Sequence, residues 1–404
     1  MMQTNTKSFN SPLLKIAWRE VHRIGERKTL YSLTIFLPII LFILLALIYI
    51  KGVVRDLPVI VFDADNSEIS RMLVRGLDAT SSMHVYKYTN SMDEIKHEFM
   101  NGNAQGAFYI PKGMEADLKS GKKSTVMLFK NTSNLIVGNL IYKDGMTLVK
   151  TISAGILLKK FKTAGMNDAK AMTFVNPIRL ETHPMYNPNY NYVSYLLPGL
   201  IGALLQMIIM VAGVLVISSE FTHNTFGELL ELSKNNVLTI LVGKSIPHLA
   251  IHLATLLGVM GIIFPLFSIE INGSISETIL LSVLFIFAAF FPAMLISSFF
   301  HEQLFATEMA LFVNTPAFIF SGFTFPLWSM PVAQNVFTQI IPFTHFLTAF
   351  LKIYQMKAPL RYASSEITIL STFFVLSFIF TLVVLKYQMN KFYKKEIKEE
   401  GVTI

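Results

Sequence analysis

The chain has 404 residues, of which 52% are hydrophobic and 15% charged, and its formal net charge is +8. Soluble domains carry roughly 25% charged residues, so this composition excludes an ordinary soluble globule and indicates a membrane protein. The sequence contains no cysteine, which excludes disulfides, thiolate nucleophiles and cysteine-based metal sites. No basic patch interleaved with aromatic residues stands apart from the membrane-flanking charge, so no nucleic-acid partner is expected.

Residues 1–30 contain a basic segment with helical periodicity, Pro12 to Thr29. Apolar residues such as Leu13 and Val21 share one helical face, while Arg19 and Arg23 lie on another. This pattern predicts a cytoplasmic amphipathic helix at the membrane interface. An ordinary basic juxtamembrane flank is the alternative.

Apolar runs of about 20 residues, the length that crosses a hydrocarbon core, predict six transmembrane helices. The first occupies residues 31–50, and the other five lie within 192–388. In chain order the predicted spans are Tyr31–Ile50, Tyr195–Ile217, Val237–Phe267, Thr278–Phe300, Leu304–Phe320 and Ile367–Leu385. Basic residues precede the first span and a basic tail, 389–404, follows the last, so the positive-inside rule places both termini in the cytoplasm.

A polar stretch, residues 51–191, separates the first two spans and is long enough to form a domain. Leu57–Asp63 has the pattern of a buried strand and is followed by turn and helix-capping residues. Ser91 begins a capping box, and further short strands are expected at Gln105–Pro111 and Thr125–Lys130. The stretch therefore predicts an inserted α/β domain outside the cytoplasm.

The segment Ser218–Asn236 is a polar island between two apolar runs, and it is helix-forming where a connector would usually be a loose turn. Phe226 and Leu229 recur near helical spacing, with Glu220 and Glu228 interleaved among the apolar residues. We expect this coupling segment to lie along the cytoplasmic membrane face and to fill a groove in a soluble partner.

Two sequence patterns match only part of a known kind of site, one a phosphate-binding loop and the other a metal site. Gly243-Lys244-Ser245 resembles the end of a phosphate-binding loop, but Leu238 stands where a glycine is needed and the context is an apolar helix. Lys244 is instead expected to extend its ammonium group to the cytoplasmic interface. His248 and His252 have metal-ligand spacing on a helix, yet no cysteine or nearby acidic residue completes a site, which favours packed or pore-facing histidines.

The run from Gly322 to Tyr354 is apolar but broken by prolines. Such a run predicts short re-entrant or interfacial helices on the outer side, which are tolerated at membrane depth only where protein surrounds them. The re-entrant region is taken as 321–354.

These segments together resemble the ABC-2 type exporter permease family, in its drug- and lipid-exporter branch, over nearly the whole chain. Glu220, Thr225, Phe226 and Leu229 match the acidic coupling motif of that family. Positions that depart from the motif are Thr222, Asn224 and Gly227, the last with Glu228 beside it. Gly243, Lys244 and Pro247 match the opening of the third span. The matches to the outer re-entrant region are Ser321, Gly322, Pro326, Met330, Pro331 and Pro342.

The resemblance implies an α-helical integral membrane protein with six transmembrane helices, a re-entrant outer segment and an inserted extracytoplasmic α/β domain. It gives an ATPase-coupling role to Glu220, Thr225, Phe226, Glu228 and Leu229. The matching positions of the third span and the outer region take structural or gating roles.

The function implied is that of a permease subunit of an ATP-driven exporter for an amphiphilic drug, lipid or related compound, in the bacterial inner membrane. The chain itself would be neither an enzyme nor a cofactor protein, because ATP and Mg²⁺ would bind a separate ABC ATPase subunit. Further expected partners are a second permease, membrane lipid and a periplasmic adaptor protein.

Two other functions remain open. One is a membrane-anchored receptor or scaffold with an extracytoplasmic binding domain. The other is a secondary carrier, which the scarcity of ionisable residues within the spans disfavours.

Overall fold

The computed structural model describes residues 11–28, 32–50, 52–176, 183, 185–187 and 191–399. The chain folds as two compact units, which we call the inserted domain (Val53–Pro184) and the helical unit (Met1–Gly52 with Met185–Ile404). The α-helices longer than one turn are α1 (Pro12–Glu26), α2 (Leu37–Ile48), α3 (Glu68–Asp78), α4 (Met92–Met100), α5 (Met114–Lys119), α6 (Leu135–Thr163), α7 (Asp168–Val175), α8 (Tyr192–Thr222), α9 (Phe226–Leu232), α10 (Val237–Gly258), α11 (Ile275–Phe299), α12 (Gln303–Phe320), α13 (Val332–Thr338), α14 (Pro342–Phe350) and α15 (Ser364–Glu399). The strands are β1 (Leu57–Asp63), β2 (Met83–Tyr88), β3 (Gly106–Ile110) and β4 (Met127–Lys130).

The inserted domain is a four-stranded sheet with helices on both faces. The strand order is β2-β1-β3-β4, in which β1 pairs in parallel with β2 and β3, and β4 runs antiparallel to β3. Val59 and Val61 of β1 contact the core formed with α3 and α6, while Ile60 contacts the core formed with α4. Burial on both faces explains the near-continuous apolar sequence of β1.

Strand prediction in this domain depends on that burial. The buried strand β1 has the bounds predicted for it, and the strands expected at 105–111 and 125–130 form the shorter β3 and β4. The sequence pattern does not predict β2, because this edge strand buries only Met83 and Val85 and leaves polar residues between them.

A carboxylate joins two loops of the inserted domain. Asp65, which follows β1, accepts hydrogen bonds from the backbone N–H of Gly113 at 2.7 Å and of Glu115 at 3.1 Å. These bonds link the loop after β1 to the start of α5. Because ligands of parallel α/β sheets usually bind outside the carboxyl ends of the strands, this link closes part of that region with the protein's own groups.

The helical unit contains long apolar helices. Among the described residues, four are long and apolar enough to cross a membrane: Val193–Thr222, Val237–Leu266, Ile275–Phe299 and Leu360–Lys395. A fifth candidate is the pair Val332–Thr338 and Pro342–Gln355, which is bent by 85°. This bend lies in the region predicted to be re-entrant.

By length and composition, the described residues therefore contain four or five candidate spans, fewer than the six expected. The first predicted span contains an apolar helix, Thr34–Ile48, that is shorter than a full crossing. The fifth predicted span forms α12, but Glu308 and Asn314 reduce its apolar character and it is not among the four candidates.

Helices α8 and α11 approach closely. A Cβ atom on Gly213 of α8 would lie 2.7 Å from the Cβ of Ala293 on α11, so only glycine allows this spacing. One turn further, the hydroxyl of Ser297 accepts hydrogen bonds from the N–H groups of Ile217 and Ser218, at 2.9 and 2.8 Å. The end of α8, which carries Glu220, is thereby fixed against α11.

Candidate functional site

Buried ionisable side chains from three helices meet in the helical unit. We call this set the charge cluster. Its members are Arg19, Glu20 and Arg23 of α1, Glu220 of α8, and Lys244 and His248 of α10. Charges this deep require partners, because an unpaired buried charge is very costly.

Glu220 lies at the centre of the charge cluster and is fully buried. Its carboxylate accepts hydrogen bonds from both terminal nitrogens of Arg19, at 2.8 and 3.2 Å, and from Lys244 Nζ at 2.6 Å. Arg23 forms an ion pair with the same carboxylate, and the hydroxyl of Thr225 donates to it. One side chain of α8 therefore binds α1, α10 and the residue that precedes α9.

Glu20 is the second buried carboxylate. Lys244 Nζ lies 2.5 Å from Glu20 Oε2, and His248 Nε2 lies 3.1 Å from Glu20 Oε1. Burial alone would raise the pKa of Glu20, but Lys244, His248 and Arg23 outweigh it and hold the pKa well below its usual value. Burial lowers the pKa of Arg23 to about 10, which the Glu20 carboxylate opposes, so both α1 side chains are charged at neutral pH.

The local sequence explains why α1 can lie this close to α10. A Cβ atom on Gly243 would stand 2.9 Å from the Cβ of Ile16, so the glycine provides the space that α1 occupies. Lys244 follows directly and points into the charge cluster with none of its side chain exposed. The expectation that Lys244 extends to the interface is therefore wrong, since α1 covers it and supplies Glu20. Pro247 is buried within the same helix.

The surface of α1 also differs from the expected one. Arg19 and Glu20 are buried, whereas Leu14, Trp18 and Val21 are each 48% exposed. Part of the basic face of this predicted amphipathic helix thus packs inside the protein, because Glu220 of α8 and Glu228 of α9 pair with Arg19.

The predicted coupling segment, 218–236, is not a single helix. Helix α8 continues to Thr222, a turn with Asn224 at φ 55° follows, and α9 has seven residues. Lys234 and Asn235, at φ 54° and 60°, then end it. These left-handed positions stop helix propagation at both sides of α9.

The apolar face of α9 is covered by the protein itself. Phe226 is 2% exposed and Leu229 is fully buried. The ring of Phe226 lies 4.5 Å from that of Phe221 and 5.8 Å from that of Phe392, measured between centroids. Neither Phe226 nor Leu229 is therefore available to fill a groove in a partner, which corrects that expectation. The outer face of α9 presents Glu228 instead, with 69% of its side chain exposed.

One contact connects this outer face with the charge cluster. Glu228 Oε2 lies 3.4 Å from Arg19 Nη2, while Arg19 also binds Glu220. The exposed carboxylate of α9 and the buried carboxylate of α8 thus share one guanidinium.

The predicted outer residues lie at helix boundaries, and none of them takes part in the hydrogen bonds and ion pairs described above for the charge cluster. Ser321 ends α12, and Gly322, at φ 86°, makes the turn that follows. Pro326 and Met330 flank the short 3₁₀ turn Leu327–Ser329. Pro331 precedes α13, and Pro342 is the first residue of α14.

Sequence reasoning did not identify Glu20 as a site residue, and it treated His248 as a packed or pore-facing histidine. The signal for Glu20 is its position as an acidic residue within the basic stretch around Arg19 and Arg23. His252, one turn after His248, is buried without a hydrogen-bond partner for either ring nitrogen. Among the described residues, no group of three or more potential ligands is placed to hold a metal ion.

Apolar helices of spanning length, joined by buried charges, define a multi-pass membrane protein. The chain belongs to the ABC-2 family of transporter proteins, whose family model matches residues 28–383. It is 26% identical over 378 residues to ABC transporter G family member 20 of Dictyostelium discoideum, covering 92% of this chain but 50% of that protein. It is 23% identical over 348 residues to YbhR of Escherichia coli K12, named as a probable multidrug ABC transporter permease, covering 86% of this chain and 90% of that protein. A second such permease, YbhS, is 25% identical over 185 residues, which are 45% of this chain and 48% of that protein.

Proposed function

We propose that the chain is the membrane permease subunit of an ATP-driven exporter that moves an amphiphilic drug, lipid or related compound out of the cell. The permease is not itself an enzyme, and a separate ABC ATPase subunit binds ATP and Mg²⁺. The observation that carries the proposal is the contact of Arg19 with both Glu228 and Glu220, because it joins an exposed segment to the end of the apolar helix α8, where Glu220 also binds Lys244 of α10.

In this mechanism the ATPase contacts the outer face of α9 through Glu228. Movement of α9 passes to Arg19 through the Glu228 contact and to Glu220 through Thr225. Glu220 then displaces α8, and its partner Lys244 displaces α10. Helices that are connected by these hydrogen bonds and ion pairs move together as rigid bodies. Closure of the ATPase subunits would in this way change which side of the membrane the transport path opens to. Phe226 and Leu229 contribute by fixing α9 to the protein.

The remaining parts of the proposal follow from this assignment. The protein lies in the bacterial inner membrane with both termini in the cytoplasm, and a second permease copy or a related permease completes the path. The inserted domain lies outside the cytoplasm, where it meets substrate or a periplasmic adaptor protein.

A receptor or scaffold is the alternative function, and it gains less support. Its binding site would be expected at the carboxyl ends of the parallel strands, where Asp65 already links the loops after β1 and β3.

The test is purification of the tagged protein from mild detergent, followed by reconstitution into vesicles. We expect an ATP-binding subunit to co-purify, with vanadate-sensitive ATPase activity and ATP-dependent export. Glu228→Lys should weaken subunit association and ATPase stimulation, because it reverses an exposed charge on α9. Glu270→Lys, the same charge reversal at an exposed glutamate between α10 and α11, is the control.

Two results would contradict the proposal. A protein that purifies alone and shows no ATP-dependent export would favour the receptor. Export that survives ATP depletion but collapses with an uncoupler would favour the secondary carrier.

A further inference from the structure

We propose that the C-terminal end of α15 is a positioning element for coupling, in which Phe392 and Tyr393 hold α9 in place. The inference rests on the proposed function, because it assigns these residues to the same transport cycle.

Helix α15 is longer than a membrane crossing requires. It has 36 residues and a length of about 54 Å, against a hydrocarbon core of about 30 Å. The last predicted span ends at Leu385, so Lys386 to Glu399 continue the helix past the apolar segment. An extension of this kind needs its own contacts to stay ordered as one helix.

The first contact joins Phe392 of α15 to the beginning of α9. Its ring meets that of Phe226 edge to face, with centroids 5.8 Å apart and planes at 72°. The tip of the same ring, Cζ, would lie 3.1 Å from a Cβ atom on Gly227. The ring therefore occupies the space that the glycine leaves on α9.

The second contact is made by Tyr393 beyond the end of α9. Its hydroxyl donates a hydrogen bond of 2.6 Å to Oδ1 of Asn235, one of the left-handed residues that terminate the segment. Neighbouring residues of α15 thus hold α9 at both ends. Two points of attachment fix the tilt of a short helix, which one point would leave free.

The contacts extend beyond α9. Phe226 lies against Phe221 at the end of α8, and Phe221 stacks on His301, in the turn between α11 and α12, with centroids 4.1 Å apart. Gln388 of α15 donates a hydrogen bond of 3.3 Å to the carbonyl of Ser298 on α11. A row of rings therefore connects α9 with the turn between α11 and α12, and one amide connects α15 with α11.

The same helix packs on α11 along its apolar part. The ring of Phe291 lies 5.0 Å from that of Phe374 and 5.2 Å from that of Phe378. Displacement of α9 thus reaches α15 and α11 through this second route, in parallel with the charge cluster that serves α8 and α10.

The experiment compares single variants in the reconstituted complex with its ATPase subunit. Phe392→Ala should leave the amount of complex and its ATPase activity near the wild-type level. Transport per ATP should fall by about two- to tenfold, the range that the loss of one edge-to-face aromatic pair allows. Phe392→Leu, which keeps apolar bulk beside Gly227, should recover part of the loss.

Tyr387→Ala is the matched control, because it removes an aromatic residue from the same helix that is 64% exposed. If Phe392→Ala transports as well per ATP as Tyr387→Ala does, the positioning role is overturned while the proposed function stands. If the wild-type complex shows no ATP-driven transport, the proposed function itself fails.

The cysteine-free sequence permits a second test. The double variant Gly227→Cys with Phe392→Cys should behave like Phe392→Ala until a short bifunctional thiol reagent joins the two positions. Crosslinking should then raise transport per ATP towards the wild-type value, whereas Gly227→Cys alone should not respond. Loss of the remaining transport on crosslinking would show that α9 must move relative to α15, and would overturn the inference.

Discussion

Removal of the Glu220 carboxylate is the most direct test of the charge cluster. Glu220→Gln keeps the shape of the side chain but removes its charge, while Arg19, Arg23 and Lys244 remain directed at it. Glu20 is then the one buried carboxylate left opposite three cations. Breaking a buried ion pair by removing one partner costs about 3–5 kcal/mol, and we expect a loss of stability in this range.

Removal of a cation from the same cluster should cost less. Lys244→Met retains most of the side-chain length and leaves Arg19 and Arg23 opposite Glu20 and Glu220, so the buried charge is balanced. What is lost is the pair of hydrogen bonds from Lys244 to the two carboxylates, at 2.5 and 2.6 Å. A hydrogen bond to a charged group contributes about 1.5–3 kcal/mol, and relief of the excess positive charge offsets part of the loss.

The assay is equilibrium denaturation of the purified protein in one detergent, for both single variants and for the double variant. We expect Glu220→Gln to be less stable than Lys244→Met. The double variant should be more stable than Glu220→Gln alone, because it removes one of the uncompensated cations. Additive losses in the double variant, or wild-type stability of Glu220→Gln, would refute the charge-balance reasoning.

Two further predictions concern the contact between α1 and α10 and the inserted domain. Gly243→Ala should destabilise the helical unit by about 1–3 kcal/mol, because its methyl group would collide with Ile16. Gly258→Ala, at the end of the same helix with open space around it, should not do so in the same denaturation assay. In the inserted domain, hydrogen bonds from Lys87 and Asn103 lower the pKa of Glu98 to about 2 from its usual 4.5. The stability that this carboxylate gives is present above pH 4.5 and is lost as the pH falls towards 2, so Glu98→Gln should flatten that part of the pH dependence of amide hydrogen exchange in β2 and α4.

The sequence correctly predicts those elements whose own residues are apolar enough to show that they are buried. Strand β1 is apolar from Leu57 to Phe62 and is found with its predicted bounds, and the long apolar runs form helices at the expected places. Periodicity also identifies Phe226 and Leu229 as the apolar side of α9. It does not say what covers that side, and here the cover is α8 and α15, through Phe221 and Phe392.

The charge cluster could not be predicted from the local sequence pattern, and the reason is physical. Arg19 and Glu220 are 201 positions apart, and Lys244 and Glu20 are 224 apart. A lysine near the end of an apolar helix is usually drawn to water, so its burial becomes favourable only when folding delivers carboxylates from other helices. The local sequence around Lys244 contains no record of those partners.

Buried ion pairs contribute little net stability, so the charge cluster is better understood by what it fixes. Three cations, Arg19, Arg23 and Lys244, face the two buried carboxylates, and the exposed Glu228 supplies a third negative group to Arg19 at 3.4 Å. A basic partner surface that binds Glu228 would draw its carboxylate away from Arg19. The ion pair of Arg19 with Glu220 would then become stronger. Docking of the partner on α9 would then change the balance of charges around Glu220 at the end of α8. Apolar packing could not transmit that change, because it has no direction and no sign.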